Sequence, residues 1–344
     1  MKYSQSFRQF AMAIGLSIVS TTVMAVPPDV GLVVKDPTLI PAPFVRTKPQ
    51  TVTVDLEAIE VLADIDGSGQ KALVWTYNGT IPGPLIRVME GDVVTINLTN
   101  TSSNDRTHNI DLHAVLGPGG GASVTGVSPG ETKSLTFTAT RQGAYIYHCA
   151  GEGIPWTHIA QGMFGMIVVE PKGGLPKVNK EFYVGQIEWY RKSDSTGVSV
   201  IDDDQAETEI PDFWTFNGHK KALQKMGALT AEMRAKQGDI VRFFFVNGGP
   251  NKGANFHIIG TIFDKTYQGH FTDVLRNQET EYVAPGAAAV FELEAKVPGR
   301  FMLVDHALYR AKNGAVGFLE VDPVGAWPDA IYSPQPSPAQ MLTH

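Results

Sequence analysis

The sequence contains a single cysteine, Cys149, among its 344 residues. One cysteine cannot form a disulfide within its own chain, so a disulfide framework is excluded. Basic residues are also few, because 28 Lys and Arg stand against 35 Asp and Glu, a formal net charge of −7. A chain this acidic lacks the basic surface that nucleic-acid-binding proteins use, and we expect no nucleic-acid partner.

Long hydrophobic stretches are missing outside the N-terminus. There, Lys2 and Arg8 precede or flank an apolar run from Phe10 to Met24, and small residues near Ala25 offer a cleavage site. The run is about 15 residues, whereas a membrane anchor, the alternative, needs roughly 20. We therefore predict a signal peptide over residues 1–25 that is cleaved on export, a periplasmic mature chain and no integral membrane contact.

Helix signals are weak, and the mature chain is dominated by short alternating patterns. Gly and Pro, at 35 and 22 residues, favour turns over long helices. In residues 92–99, positions 94, 96 and 98 form an apolar face, and Phe291, Leu293 and Ala295 alternate with charged residues at 292, 294 and 296. This period of two predicts antiparallel sheets with one face toward solvent.

Short motifs rich in Gly and Pro recur in the same order in both halves of the chain. Motifs at 78–79, 91–94, 127–130, 143–147 and 165–171 match motifs at 217–218, 238–241, 283–286, 299–303 and 317–323. The ordered matches predict an all-β protein of two tandem Greek-key β-sandwiches. We place an N-terminal arm at 26–44, the first domain at 45–171, the second domain at 172–322 and a Pro-rich tail at 323–344.

Histidines and the lone cysteine cluster in two segments of the first half. His108 and His113 differ by five positions and His148 and Cys149 by one, so on strands each pair faces opposite sides of a sheet. The side of Cys149 then holds an inner site of His108, Cys149, His158 and Met163. Two imidazoles, a thiolate and a weak axial thioether form the ligand set of an electron-transfer copper site.

The opposite side of the sheet predicts an outer site with His113 and His148. Asp111 lies two positions before His113 and shares its face. His306 is a candidate third ligand, since it ends a second-half strand at the position corresponding to Cys149. Three neutral imidazoles leave one coordination position open, as a catalytic metal needs.

At these residues the sequence resembles the copper-containing dissimilatory nitrite reductases, over roughly residues 45–322. The matching motifs are Thr107 to Ala114, Tyr147 to Ala150, Pro155-Trp156, Gly162-Met163, Phe256 to Gly260, Glu279-Thr280 and Asp305-His306. One residue separates Trp156 from His158, as in the similar outer-membrane-type subgroup. The resemblance implies two tandem cupredoxin-like Greek-key sandwiches that assemble into a homotrimer.

The resemblance also implies two coppers per chain and a role for each site residue. Type 1 copper would be bound by His108, Cys149, His158 and Met163, and type 2 copper by His113, His148 and His306, with His306 supplied across the subunit interface. Asp111 and His257 would handle protons, Ile259 would shape the nitrite pocket, and Glu279 and Thr280 would position His257.

The implied activity is the one-electron reduction of nitrite to nitric oxide and water, as in denitrification or nitrate assimilation. The electron would come from a small soluble donor, a cupredoxin or a c-type cytochrome, and pass from type 1 to type 2 copper through Cys149 and His148. Two alternatives are a laccase-like two-domain multicopper oxidase and a non-enzymatic electron carrier. The oxidase is disfavoured because Ala150 follows Cys149 and four residues, rather than one, separate His108 from His113.

Overall fold

The structure is a computed structural model that describes residues 27–224 and 232–324. The predicted signal peptide and residues 325–344 of the predicted tail lie outside the described residues. Within the described ranges no helix is long and apolar enough to cross a membrane.

Short strands make up most of the described chain. In the first half they are β1 (Asp29–Gly31), β2 (Thr51–Ala63), β3 (Ala72–Tyr77), β4 (Leu85–Met89), β5 (Val93–Asn100), β6 (Asp111–Leu112), β7 (Thr132–Thr138), β8 (Gly143–His148) and β9 (Phe164–Glu170). Helix α1 (Pro155–Ala160) lies between β8 and β9, and 3-10 turns span Pro118–Gly121 and Gly151–Gly153.

The second half repeats this pattern of strands. Its strands are β10 (Lys180–Trp189), β11 (Arg191–Ser193), β12 (Ser199–Ile201), β13 (Phe213–Phe216), β14 (Met233–Lys236), β15 (Ile240–Gly249), β16 (Ala254–Ile258), β17 (Lys265–Tyr267), β18 (Thr280–Val283), β19 (Ala287–Glu294), β20 (Gly299–Asp305) and β21 (Val316–Asp322). Its short helices are α2 (Asp203–Glu207) and α3 (Leu308–Lys312).

The strands of the described residues pair into four sheets that reveal the internal repeat. Sheet A contains the order β3-β2-β5-β7 and sheet B the order β4-β9-β8-β6. Sheet C contains β13-β10-β15-β19 and sheet D contains β14-β21-β20-β16, so corresponding strands occupy corresponding places. The all-β prediction of two sandwiches is confirmed. The predicted domain boundaries stay predictions; residues 172–176 connect β9 to β10.

The expectation of purely antiparallel sheets is wrong. Parallel pairs occur at corresponding places in all four sheets: β2 with β5, β4 with β9, β10 with β15, and β14 with β21. Sheet A also contains the parallel pairs β1 with β2 and β3 with β12. Between the members of each pair the chain crosses to other strands and returns in the same direction, as long connections permit. Alternation of apolar residues reports which face is buried and carries no information on strand direction.

We also expected every sheet to have one face exposed to solvent, and the structure corrects this expectation. A core that we call the interdomain core packs the outer face of sheet B against the outer face of sheet C. Its members include Phe164, Met166 and Val168 from the first half and Phe244, Val246 and Val290 from the second. Strands β9 and β15 are therefore buried on both faces, apart from the more exposed first residue of β15.

Buried charges at this junction are paired. Arg87 on β4 binds Glu170 and, at 2.8 Å, Glu181 on β10. Glu181 also accepts from Arg242 at 2.7 Å, and Arg242 binds Glu292 at 2.5 Å. Glu292, which the alternation predicted to face solvent, is thus buried in an ion-pair network, because burial of a carboxylate is tolerated when cations and hydrogen bonds compensate it.

Candidate metal centres

The inner cluster, which we define as His108, Cys149 and His158, lies inside the first sandwich. Cys149 directly follows β8, and His158 lies on α1, the short helix of the same connection. His108 is held by a single bridge to Val127 and belongs to no strand, since only residues 111–112 of this segment pair as β6. The odd spacing between His108 and His113 thus predicted that they lie on opposite sides of the sheet, as they do. The assumption that both lie on one continuous strand is wrong.

The donor atoms of the inner cluster converge. The Sγ of Cys149 lies 3.1 Å from Nδ1 of His158 and 3.7 Å from Nδ1 of His108, and the two Nδ1 atoms are 3.3 Å apart. All three residues are fully buried. Burial raises the pKa of the Cys149 thiol to about 12 and lowers the pKa of His158 to about 3. A cation is what allows a thiolate to be held here.

Met163 closes the connection that carries Cys149 and His158. Its carbonyl accepts the Cys149 N–H at 3.1 Å, its own N–H donates to the His158 carbonyl at 3.2 Å, and its side chain is buried in the first sandwich core. The backbone N–H of Asn109 donates to the Cys149 sulfur at 3.3 Å. Such a donor stabilises a thiolate, and the set of two imidazoles, a thiol and a nearby thioether fits copper.

Two residues that the sequence did not single out surround the inner cluster. Glu60 on β2 lies with Oε1 3.0 Å from Nε2 of His108. Trp75 on β3 meets the rings of His108 and His158 edge-on, with centroids 5.4 and 4.7 Å away. The Nε2 of His158 is buried without a hydrogen-bond partner among the described residues. In both imidazoles Nδ1 is the nitrogen that faces the cluster, where it can bind a metal.

The outer cluster, defined as Asp111, His113 and His148, lies on the other side of sheet B. The Nε2 atoms of His113 and His148 are 3.1 Å apart. The Nδ1 of His148 lies 3.2 Å from the Cys149 carbonyl, which accepts a hydrogen bond from it. The ring proton is therefore on Nδ1, and Nε2 is left as the metal-binding atom. Burial lowers the pKa of His148, an effect that the nearby Asp111 opposes.

A glycine-rich turn lies directly against Asp111. Asp111 pairs with His148 across β6 and β8, and the turn at Pro118–Gly121 packs against β6. A Cβ added at Gly120 would lie 2.0 Å from Oδ1 of Asp111, and the backbone there has φ +51°. Only glycine fits this position, since it alone tolerates both the conformation and the close approach.

A separate group of predicted residues gathers on sheet D. The ring centroids of His257 on β16 and His306 after β20 are 5.1 Å apart. The Nδ1 of His257 donates to the Glu279 carbonyl at 2.6 Å, and Thr280 is the strand partner of His257. Ile259 follows β16 and is 36% exposed. His306 itself is exposed, and within one chain the metal-capable groups of the described residues do not include it.

The comparisons with known proteins agree with this architecture. Two family models described as multicopper oxidase match residues 62–174 and 180–317. A copper-containing nitrite reductase of Neisseria meningitidis is 42% identical over 286 residues, which cover 82% of this chain and 72% of that protein. This chain belongs to the copper-containing nitrite reductase family.

Solved structures of known proteins are also similar to this chain in fold. The copper nitrite reductase of Nitrosomonas europaea aligns with a TM-score of 0.70 and 33% identity, over 79% of this chain and 94% of that one. A crystal structure of a multicopper oxidase aligns with a TM-score of 0.66 and 27% identity, over 79% of this chain and 89% of that one. Both share the tandem sandwich, so the fold alone does not select a substrate.

Proposed function

We propose that this nitrite reductase family member reduces nitrite to nitric oxide and water, with the uptake of one electron and two protons. The observation that carries the proposal is the adjacency of Cys149 and His148. Cys149 belongs to the inner cluster and His148 to the outer cluster, so one peptide bond joins an electron-transfer ligand set to a catalytic one. This covalent connection suits a reaction that takes electrons singly.

Copper bound at both clusters would supply the redox and Lewis-acid chemistry. At the inner cluster, His108, Cys149, His158 and Met163 would hold type 1 copper. At the outer cluster, His113 and His148 would hold type 2 copper together with His306. The converging Nδ1 and Sγ atoms inside and the facing Nε2 atoms outside support these assignments.

Two groups are available to handle protons at the outer cluster. Asp111 shares the cluster with His113 and His148 and is partly exposed, so its carboxylate can exchange protons with solvent and pass them to a nitrite oxygen. His257 would act from the opposite side, its Nδ1 fixed by the Glu279 carbonyl, which leaves Nε2 to face the substrate. Ile259, two positions on, would limit the space for nitrite, and Thr280 would position His257.

A complete outer site requires a second copy of the chain. Within one chain His306 lies beside His257, whereas His148 ends β8 of sheet B and His113 directly follows β6. A homotrimer in which each chain supplies His257 and His306 to the outer cluster of its neighbour would bring all four histidines together. The mature protein would work in the periplasm with a small soluble donor, a cupredoxin or a c-type cytochrome.

Reduction of oxygen is the second candidate, because both matching family models are described as multicopper oxidase. The support for oxygen reduction is weaker than the support for nitrite reduction. The described residues contain two metal-capable groups of three or more side chains, whereas an oxidase needs further ligands for a cluster of three coppers.

An assay with both oxidants separates the candidates. Purified, copper-loaded protein is given a reduced mediator and either nitrite without oxygen or oxygen without nitrite. We expect nitric oxide with nitrite, two coppers per chain, and loss of turnover in Cys149→Ser. Oxygen consumption with four coppers per chain would support the oxidase, and one copper with neither activity would leave only an electron carrier.

A further inference from the structure

Glu60 is a buried carboxylate to which the proposed reaction gives no role. It lies on β2 and is 2% exposed. Strand residues at 52, 54, 56, 58 and 60 point to one side, and Leu56 and Ala58 on that side belong to the core of the first sandwich. A carboxylate in this row is costly to bury unless donors surround it.

Two donors converge on a single oxygen of Glu60. Its Oε1 accepts the backbone N–H of Arg106 at 2.9 Å and lies 3.0 Å from Nε2 of His108. In the part of the chain that the structure describes, the ion pairs of Glu60 within 4.0 Å involve His108 alone. The carboxylate is therefore aimed at this one imidazole.

The contact fixes which nitrogen of His108 carries the proton. Glu60 accepts only if Nε2 is protonated, and then Nδ1 is left bare. That Nδ1 is the atom facing Cys149 and His158, at 3.7 Å from Sγ and 3.3 Å from the other Nδ1. The carboxylate and the cluster thus bind opposite nitrogens of one ring.

We propose that Glu60 is a positioning residue whose negative charge acts through His108 and lowers the reduction potential of the copper held by the inner cluster. A carboxylate on the far nitrogen of a ligating imidazole orients the ring and makes it a stronger donor. A stronger, more negative donor stabilises the more highly charged Cu(II) form over Cu(I). The proposal rests on the proposed function only in that it assumes copper at the inner cluster.

The test compares Glu60→Gln with wild type by titrating the visible band of the inner copper against potential. Both donors meet at one oxygen, so the amide oxygen of Gln can accept both while the charge is removed. We expect copper to be retained and Cu(I) to be favoured about tenfold more than in wild type, which raises the potential by about 59 mV. An unchanged potential contradicts the proposal.

Asn104→Ala is the matched structural control. The Asn104 side chain accepts the Glu60 N–H at 2.8 Å and donates to the Ala58 carbonyl at 2.7 Å, so its loss loosens the same strand and keeps the carboxylate. We expect a lower melting temperature and a potential close to that of wild type. An equal rise of potential in both variants would mean that Glu60 acts only through packing.

A measurement on the unaltered protein covers the case in which Glu60→Gln fails to fold. In reduced, copper-loaded protein labelled with ¹⁵N-histidine, NMR reports which nitrogen of His108 carries hydrogen. The proposal requires protonated Nε2, and a bare Nε2 contradicts it. Neither readout uses nitrite, so a protein with the expected potential that forms no nitric oxide would contradict the proposed reaction and leave the role of Glu60 intact.

Discussion

At the scale of single residues, the proposed role of Asp111 in proton transfer can be tested directly by substitution. It shares the outer cluster with His113 and His148 without being needed as a ligand in the proposed site. Asp111→Asn keeps the size and removes the transferable proton, so we expect both coppers to remain and nitrite reduction to fall roughly 10²-fold or more. Steady-state rates against pH, paired with copper analysis, measure this.

Two outcomes would revise the role of Asp111. Full activity with normal copper would remove it from proton transfer. Loss of copper from the outer cluster alone would mean that the carboxylate holds the metal or its ligands in place.

His158 makes the stability of the copper-free protein depend on pH. Burial lowers its folded pKa from 6.5 to about 3. Between pH 6.5 and 3, His158 is therefore protonated in the unfolded chain and neutral in the folded chain. The free energy of unfolding consequently decreases as pH falls toward 3. From pH 7 to 4.5 we expect this residue to remove roughly 2–3 kcal/mol, at about 1.4 kcal/mol per unit.

Urea unfolding of copper-stripped protein at several pH values measures this loss. His158→Gln is the comparison, because it removes the titrating ring and keeps a polar side chain. The variant should show a shallower dependence over this range, and an identical dependence in both proteins would rule out His158 as its source.

Sequence alone predicted the histidines and Cys149 at this scale because their residue types are rare and chemically specific. The sequence analysis missed Glu60. The alternation of β2 does place this residue in the row of side chains that face the core, so its burial could have been predicted. Gly120 could not be predicted, since its contact with Asp111 depends on how a turn folds back in space.

At the scale of elements, the glycine-rich turn at Pro118–Gly121 sets the position of Asp111. Gly120→Ala would place a Cβ 2.0 Å from the Asp111 carboxylate and should displace it, lowering nitrite reduction at least tenfold. Gly119→Ala is the control, since its φ of +64° carries a similar backbone strain and its Cβ would meet only the Ala122 Cβ at 3.8 Å. Rates and melting temperatures of both variants are compared.

Gly119→Ala should lose about 1–2 kcal/mol, because it forces alanine into a left-handed conformation. Gly120→Ala should lose more, because its Cβ would also lie 2.8 Å from the backbone carbonyl oxygen of Leu112. Only Gly120→Ala should lose activity. Equal losses of activity would mean that the turn matters through its backbone alone.

Strand existence was predictable from alternation, whereas strand pairing was not. The period of two placed β5 correctly, with Val94, Ile96 and Leu98 buried. It could not show that β5 lies parallel to β2, because that arrangement follows from the crossing of the chain between sheets.

At the scale of the whole molecule, the outer site predicts complementation between chains. A His113→Ala chain keeps His306, and a His306→Ala chain keeps His113. Mixed oligomers of the two should regain some activity at interfaces where both intact histidines meet, while each variant alone should have almost none. Coexpression or refolding of mixtures, followed by nitrite assays, tests this.

Mixed oligomers without any recovered activity would argue against a site shared between chains. Wild-type chains mixed with either variant provide the control for successful reassembly, since their activity should scale with the fraction of intact interfaces.

The internal repeat made the tandem sandwiches predictable, but it concealed how they pack. Phe164 and Phe244 lie on strands whose sequences indicate only that they are buried. The sequence of neither strand shows that the two residues meet in the interdomain core. Contact between distant segments is set by the relative placement of the two halves, which a pattern within each half does not encode.

The stoichiometry of the reaction tests the central claim most directly. Copper-loaded protein is mixed without oxygen with a reduced one-electron mediator and limiting nitrite, and mediator oxidation, nitrite loss and nitric oxide formation are recorded together. The account predicts one mediator oxidised and one nitric oxide formed for each nitrite consumed. Nitrite that stays unconsumed, or several electrons taken up per nitrite with ammonia as the product, would contradict it.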